Sequence, residues 1–96
     1  MTAPLVHLIT GSIKDGQLEA YRRFAQEHAE FAEMKHPGLL AFHLYLSEDG
    51  REVTSVQVHP DADSMDFFIQ KVVATHGVQA FEYLEQGSER SEVYGR

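Results

Sequence analysis

Two periodicities alternate along the chain. Leu5 to Ile13 is dense in apolar and β-branched residues and closes on Lys14-Asp15-Gly16, which predicts a strand ending in a turn. From Leu18 to Met34 the spacing changes. Leu18, Tyr21, Phe24, Ala25, His28, Phe31 and Ala32 follow the i, i+3, i+4, i+7 rule, with Glu, Gln and Arg between them, so an amphipathic helix is predicted. Asp15 is placed to cap it and His36-Pro37-Gly38 to stop it, because the residue before proline is pushed out of helical geometry. Leu39 to Leu46 and Glu52 to His59 are extended runs on either side of the turn signal Ser47-Glu48-Asp49-Gly50-Arg51. A three-residue loop with Gly50 left-handed would set Phe42 opposite Val56, Leu44 opposite Thr54 and Leu40 opposite Val58, one almost wholly apolar face. The other face would then carry Ala41 opposite Gln57, His43 opposite Ser55 and Tyr45 opposite Val53.

Pro60 ends the third strand, and Asp61, Asp63 or Ser64 can cap a second helix whose apolar stripe is Met65, Phe68, Ile69, Val72 and Val73. His76-Gly77 breaks that helix before a further helical piece with Val78, Phe81 and Leu84, and Ser91 to Tyr94 alternates as a short fourth strand. The order is βαββαβ, so the expected class is α+β: a ferredoxin-like single domain over residues 1–96, with helices on one face of a four-stranded antiparallel sheet. The open face would carry His43, Tyr45, Ser55 and Gln57. That mixture is too apolar for free solvation and too polar for a core, and it predicts a homodimer packed sheet to sheet.

Composition strengthens the second chain. A domain of 96 residues buries only around two-thirds of its unfolded surface, and with no cysteine it has no disulfide to help. A net charge of −7 works against nucleic acid and anionic membranes as partners, since both are held mainly by Lys and Arg. No run of about 18 apolar residues and no signal-like segment is present, and the expectation is a soluble cytoplasmic protein. There is no Gly-rich phosphate loop and no Gly-x-Ser-x-Gly elbow.

Six histidines in so acidic a chain are the unusual feature. No two share the spacing of a dedicated metal site, so neither a metal nor another cofactor is expected. His28 lies on the apolar stripe of the first helix, where a neutral imidazole could take a phenolic proton. His7 lies on the first strand and His59 ends the third. Tyr21, Phe24 and Phe68 belong to the core by spacing, and with His76 they would line a pocket for a flat aromatic ligand if the space between helices and sheet is only partly filled. His36 reads as loop and His43 as interface.

Several segments together resemble the dimeric α/β barrels of the antibiotic biosynthesis monooxygenase (ABM) type. They are Val6-His7-Leu8-Ile9, Lys14-Asp15-Gly16, His36-Pro37-Gly38-Leu39, Gln57-Val58-His59-Pro60-Asp61 running into Asp63-Ser64-Met65, and Val78-Gln79-Ala80-Phe81. The resemblance implies a homodimer and, in some members, cofactor-independent oxygenation of phenolic or quinol compounds. It departs at telling places. Oxygenases and haem-degrading members place Asn on the first strand and Trp near the end of the third, and this chain has neither residue; the second-helix haem ligand would fall near Glu82 or Tyr83. Haem degradation is disfavoured. The expectation is a monooxygenase-like protein in which His28, His7 and His59 act on a small phenolic compound, or else a non-catalytic dimer that binds a small ligand or serves in stress.

Overall fold

The apolar stripe of the first helix has to be buried against something, and the sheet supplies the surface. The computed structural model describes residues 3–95. Strand β1 (Leu5–Ser12) leads to helix α1 (Leu18–Lys35), then come the hairpin β2 (Ala41–Leu46) and β3 (Glu52–His59), helix α2 (Ala62–Phe67), and the closing strand β4 (Arg90–Gly95). α2 runs on as a π-helical turn (Phe68–Val73) and is followed by a 3-10 helix (Gly77–Glu82). The four strands are antiparallel in the order β2-β3-β1-β4, the ferredoxin-like arrangement expected from the sequence.

The local signals were obeyed unevenly. His36 does cap the end of α1, and Asp61 caps α2 by accepting a hydrogen bond from the Ser64 amide at 2.9 Å. Asp15 does not cap α1. Gly16 turns the chain at φ +79°, Gln17 takes the capping position, and no side chain bonds to the exposed amides there. Ile13, expected to end β1, instead bridges to Leu84. In the predicted stripe of the second helix Phe68 and Val72 are fully buried, whereas Ile69 is exposed. The wider π-helical turn brings Val73, five residues after Phe68, under the helix in its place.

The larger correction concerns register. Phe42 pairs with Gln57, Leu44 with Ser55 and Leu46 with Val53, one residue away from the expected alignment. The Ser47 amide bonds the Glu52 carbonyl at 2.9 Å, so the connection is the four residues Glu48 to Arg51, with Gly50 at φ +71° closing a turn onto the Ser47 carbonyl. Because side chains alternate, the extra loop residue turns β3 over. Val53, Ser55, Gln57 and His59 face the helices together with His7 and Ile9 of β1, and the outer face carries Thr54, Val56 and Val58 beside His43, Tyr45, Val6 and Leu8. Ser55 and Gln57 therefore leave the expected interface and enter the interior.

Two apolar clusters fill that interior. Ile13, Tyr21, Phe24, Val53 and Leu84 form one, and Ala32, Phe68 and Val72 the other. Phe68 has no exposed surface and meets Phe42 and His59 edge to face, at 5.5 and 5.6 Å between centroids. Phe68→Ala is expected to cost about 3–5 kcal/mol, a large share of the stability of a domain this small, read as a lowered urea midpoint with an unchanged slope.

Candidate functional site

A cavity of about 80 Å³ lies where the two clusters meet. Its walls are mostly apolar, with Tyr21, Phe24, Leu44, Val53, Phe68 and Val73 among them, and four polar residues, His28, Ser55, Gln57 and Glu89, interrupt them. The predicted pocket residues Tyr21, Phe24 and Phe68 all line it. His76 stands behind the wall, reached through His28.

α1 delivers His28 by its helical spacing. Its Nδ1 is 2.9 Å from Nδ1 of His76, which is set in the turn before the 3-10 helix, and the two rings lie within 6° of coplanar. One nitrogen must donate and the other accept. Phe24 lies parallel to both rings at 5.3 and 5.4 Å, and Phe31 stacks on His76 at 5.1 Å. Gly77 makes room for this: a Cβ there would sit 3.3 Å from His28 Cε1 and 3.4 Å from Val73. Burial, and then the neighbouring His76, lower the His28 pKa from 6.5 to about 4, so the ring is neutral near pH 7. Among the described residues its Nε2 has no hydrogen-bond partner. Tyr21 is the opposite case. Burial and the charge of Glu89 raise it to about 12, which keeps it a phenol and removes it as a base.

The other two predicted catalytic histidines join a separate chain of hydrogen bonds. His7 Nδ1 and His59 Nε2 each lie 3.2 Å from Gln57 Oε1, His59 Nδ1 is 2.9 Å from Ser64 Oγ, and His36 Nε2 is 2.8 Å from that same oxygen and 3.1 Å from the Ser64 carbonyl. Donors can be assigned from the fixed end. A carbonyl only accepts, so His36 Nε2 carries a proton and is shared between the two Ser64 oxygens. The Ser64 hydroxyl then donates to His59 Nδ1, His59 Nε2–H donates to Gln57 Oε1, and His7 Nδ1–H donates to it as well. Gln57 Nε2 donates onward to Ser55 Oγ at 3.0 Å. Every member is satisfied with all three imidazoles neutral. Burial agrees: it is the first cause lowering His7 and it lowers His59 to about 4, where His36 and His7 add to the effect.

His7, His28 and His59 thus do not share one pocket. His28 lines the cavity with His76 behind it, while His7 and His59 reach the cavity only through Gln57. His36, read from sequence as loop, is buried in this chain; as the cap of α1 it lies one turn past Ala32 on the inward stripe. His43 is exposed on the outer face. Among the described residues no group of three or more His, Asp or Glu is arranged to hold a metal ion, and no helix is long and apolar enough to cross a membrane.

No family model and no curated protein sequence matches the chain. Solved structures match its fold throughout. A conserved protein from Methanosarcina mazei Go1 superposes with TM-score 0.84 at 14% identity, covering 97% of this chain and 92% of that one. A candidate antibiotic biosynthesis monooxygenase from Nitrosomonas europaea gives TM-score 0.84 at 14% identity, covering 100% and 92%. MupZ from Pseudomonas fluorescens gives 0.81 at 22% identity, covering 96% and 71%. At these identities the likeness establishes a shared fold.

The two histidines lowered to about 4, His28 and His59, carry a pH dependence. Their unfolded-state value is about 6.5, so between pH 6.5 and 4 the unfolded chain binds more protons than the folded one, and stability falls as the pH falls through that window. The expected loss is up to about 3 kcal/mol for each histidine, levelling off below pH 4. Urea titrations at pH 7.5, 6, 5 and 4 measure it, and a midpoint unchanged across the series would contradict the buried, neutral assignment.

Proposed function

We propose that the chain is a cofactor-independent monooxygenase of the ABM type that binds a small phenolic compound in this cavity, with His28 as the group that receives its hydroxyl proton. The observation that carries the reading is the His28–His76 pair: a buried neutral imidazole on the wall of an aromatic cavity, with one nitrogen free and the other bonded to a second imidazole. A phenol O–H donates to His28 Nε2. As the proton transfers, His28 Nδ1–H donates to His76, which spreads the charge over two rings. The phenolate is electron-rich enough to react with dioxygen. Addition at a ring carbon gives a hydroperoxide, and loss of water leaves a quinone: one oxygen atom enters the ring, the other leaves as water, and the ring gives up two hydrogens.

Magnitudes restrict the substrate. With His28 near 4 and a simple phenol near 10, complete proton transfer is uphill by about six units, or about 8 kcal/mol. Phenols acidified by an electron-withdrawing substituent narrow that gap. Size restricts it too. At about 80 Å³ the cavity is about half the ~150 Å³ that encloses benzene in an apolar core, so a ring enters by displacing the wall that carries the exposed Phe81.

The reading includes a homodimer. The outer sheet face offers Val6, Leu8, Val56 and Val58, half-buried with no second layer over them, beside the exposed His43, Tyr45 and Tyr94. Covering that face would add the burial that a chain of this length lacks. The second reading, a non-catalytic ligand-binding dimer, is favoured by one observation: His7, His28, His36, His59 and His76 all have internal partners.

Oxygen uptake with a panel of phenols and quinols, without added metal, flavin or haem, separates the two. Turnover that falls about 100-fold or more in His28→Ala, with the dimer intact by sedimentation, is the expected result. Wild-type turnover also should hold from pH 8 down to about 5 and decline as His28 charges near 4. Phenol binding with no oxygen uptake would establish the binding protein instead.

A further inference from the structure

The cavity has a second polar end, and its hydrogen-bonding sense is set from outside it. The Ser64 carbonyl orders the chain through His36, the Ser64 hydroxyl and His59, so that Gln57 Oε1 faces two imidazole N–H donors. The amide cannot flip without opposing N–H to N–H at His59, whose tautomer the chain fixes. Its Nε2 is therefore held toward Ser55, 3.0 Å away, and Ser55 Oγ accepts that bond. The hydroxyl proton of Ser55 is left to donate, on a wall whose other polar side chains are Tyr21, His28, Gln57 and Glu89. Gln57 is 1% exposed and His59 has no exposed surface, so water does not compete for the inner links of the chain.

We propose that Ser55 is a specificity-determining hydrogen-bond donor to a carbonyl oxygen of the ligand, and that the substrate class is a hydroxyaryl ketone or aldehyde, whose hydroxyl goes to His28 and whose carbonyl goes to Ser55. This rests on the reading of the cavity as a phenol site and narrows it. The two ends ask for complementary groups: His28 Nε2 accepts, Ser55 donates. A ring carbonyl satisfies the second end and also acidifies the phenol, which a weakly basic His28 requires. Gln57 is a positioning residue, with His7 and His59 behind it. An alkyl group in place of the carbonyl would offer the Ser55 proton no acceptor on the ligand, and sites that hydrogen-bond a ligand group discriminate strongly against analogues lacking it.

Calorimetric titration of the full chain with the three hydroxyacetophenone isomers and the three ethylphenols of matching shape tests it. Wild type should bind the best ketone about tenfold more tightly than its ethyl counterpart. Ser55→Ala should bring that preference to within about twofold while ethylphenol affinity stays the same. Gln57→Leu should do likewise, a selective loss that a merely structural role for Gln57 would not produce. Ethylphenol binding with no ketone preference in wild type overturns the proposal and leaves the phenol site standing, as does a preference that survives Ser55→Ala. Failure of every phenol to bind overturns both.

Discussion

Side chains alternate across a strand, so the interior of this protein depends on which residues of β3 face α1 and α2. The four-residue connection after β2 decides that. With Ser47 paired to Glu52, Ser55, Gln57 and His59 point inward and Val56 and Val58 point out. The result runs against simple patterning, because β3 hides its polar residues and shows its aliphatic ones. It becomes reasonable once the hidden residues are seen as a set. His7 on the neighbouring strand, His36 after α1 and Ser64 in the first turn of α2 all meet them, so four separate parts of the chain are tied by polar bonds with no buried side-chain group left unpaired among the described residues.

Such a network costs stability if any member fails and gives directionality if none does. Here the direction comes from a backbone carbonyl, which cannot reverse its role, and the position of that carbonyl comes from the Asp61 cap that anchors Ser64 at the start of α2. A helix cap, usually a local matter of about 1 kcal/mol, thereby helps decide what an atom in the cavity can offer a ligand. The His28–His76 pair is a second and independent device. Aromatic faces flank it, and the missing side chain at Gly77 gives it space.

The order of elements and the class of fold were legible in the sequence, since both follow from periodicities spread over many residues. α1 could be read almost residue by residue, and the inward place of His28 with it. What could not be read depended on single residues. One more loop residue between β2 and β3 inverted the face assignment of Ser55 and Gln57. The preference for an all-apolar face misled, because it assumes that polar residues seek water, whereas here they found one another. The partnership of His28 with His76 spans 48 positions and leaves no trace in local pattern. His36 sits one turn past Ala32 at the end of α1, where the following Pro37 reads as the start of a loop.

The two apolar clusters are in effect half-cores, each packed well on its own and separated by the cavity. Unfilled volume between half-cores is slack in the mechanical sense. Compression acts first on such space, and unfolding that eliminates it shrinks the system, so hydrostatic pressure favours opening along this seam before either half-core yields. The seam passes beneath Phe24, between the two ends of α1. The volume that a guest would occupy under the proposed reading is thus the volume that makes the protein compliant.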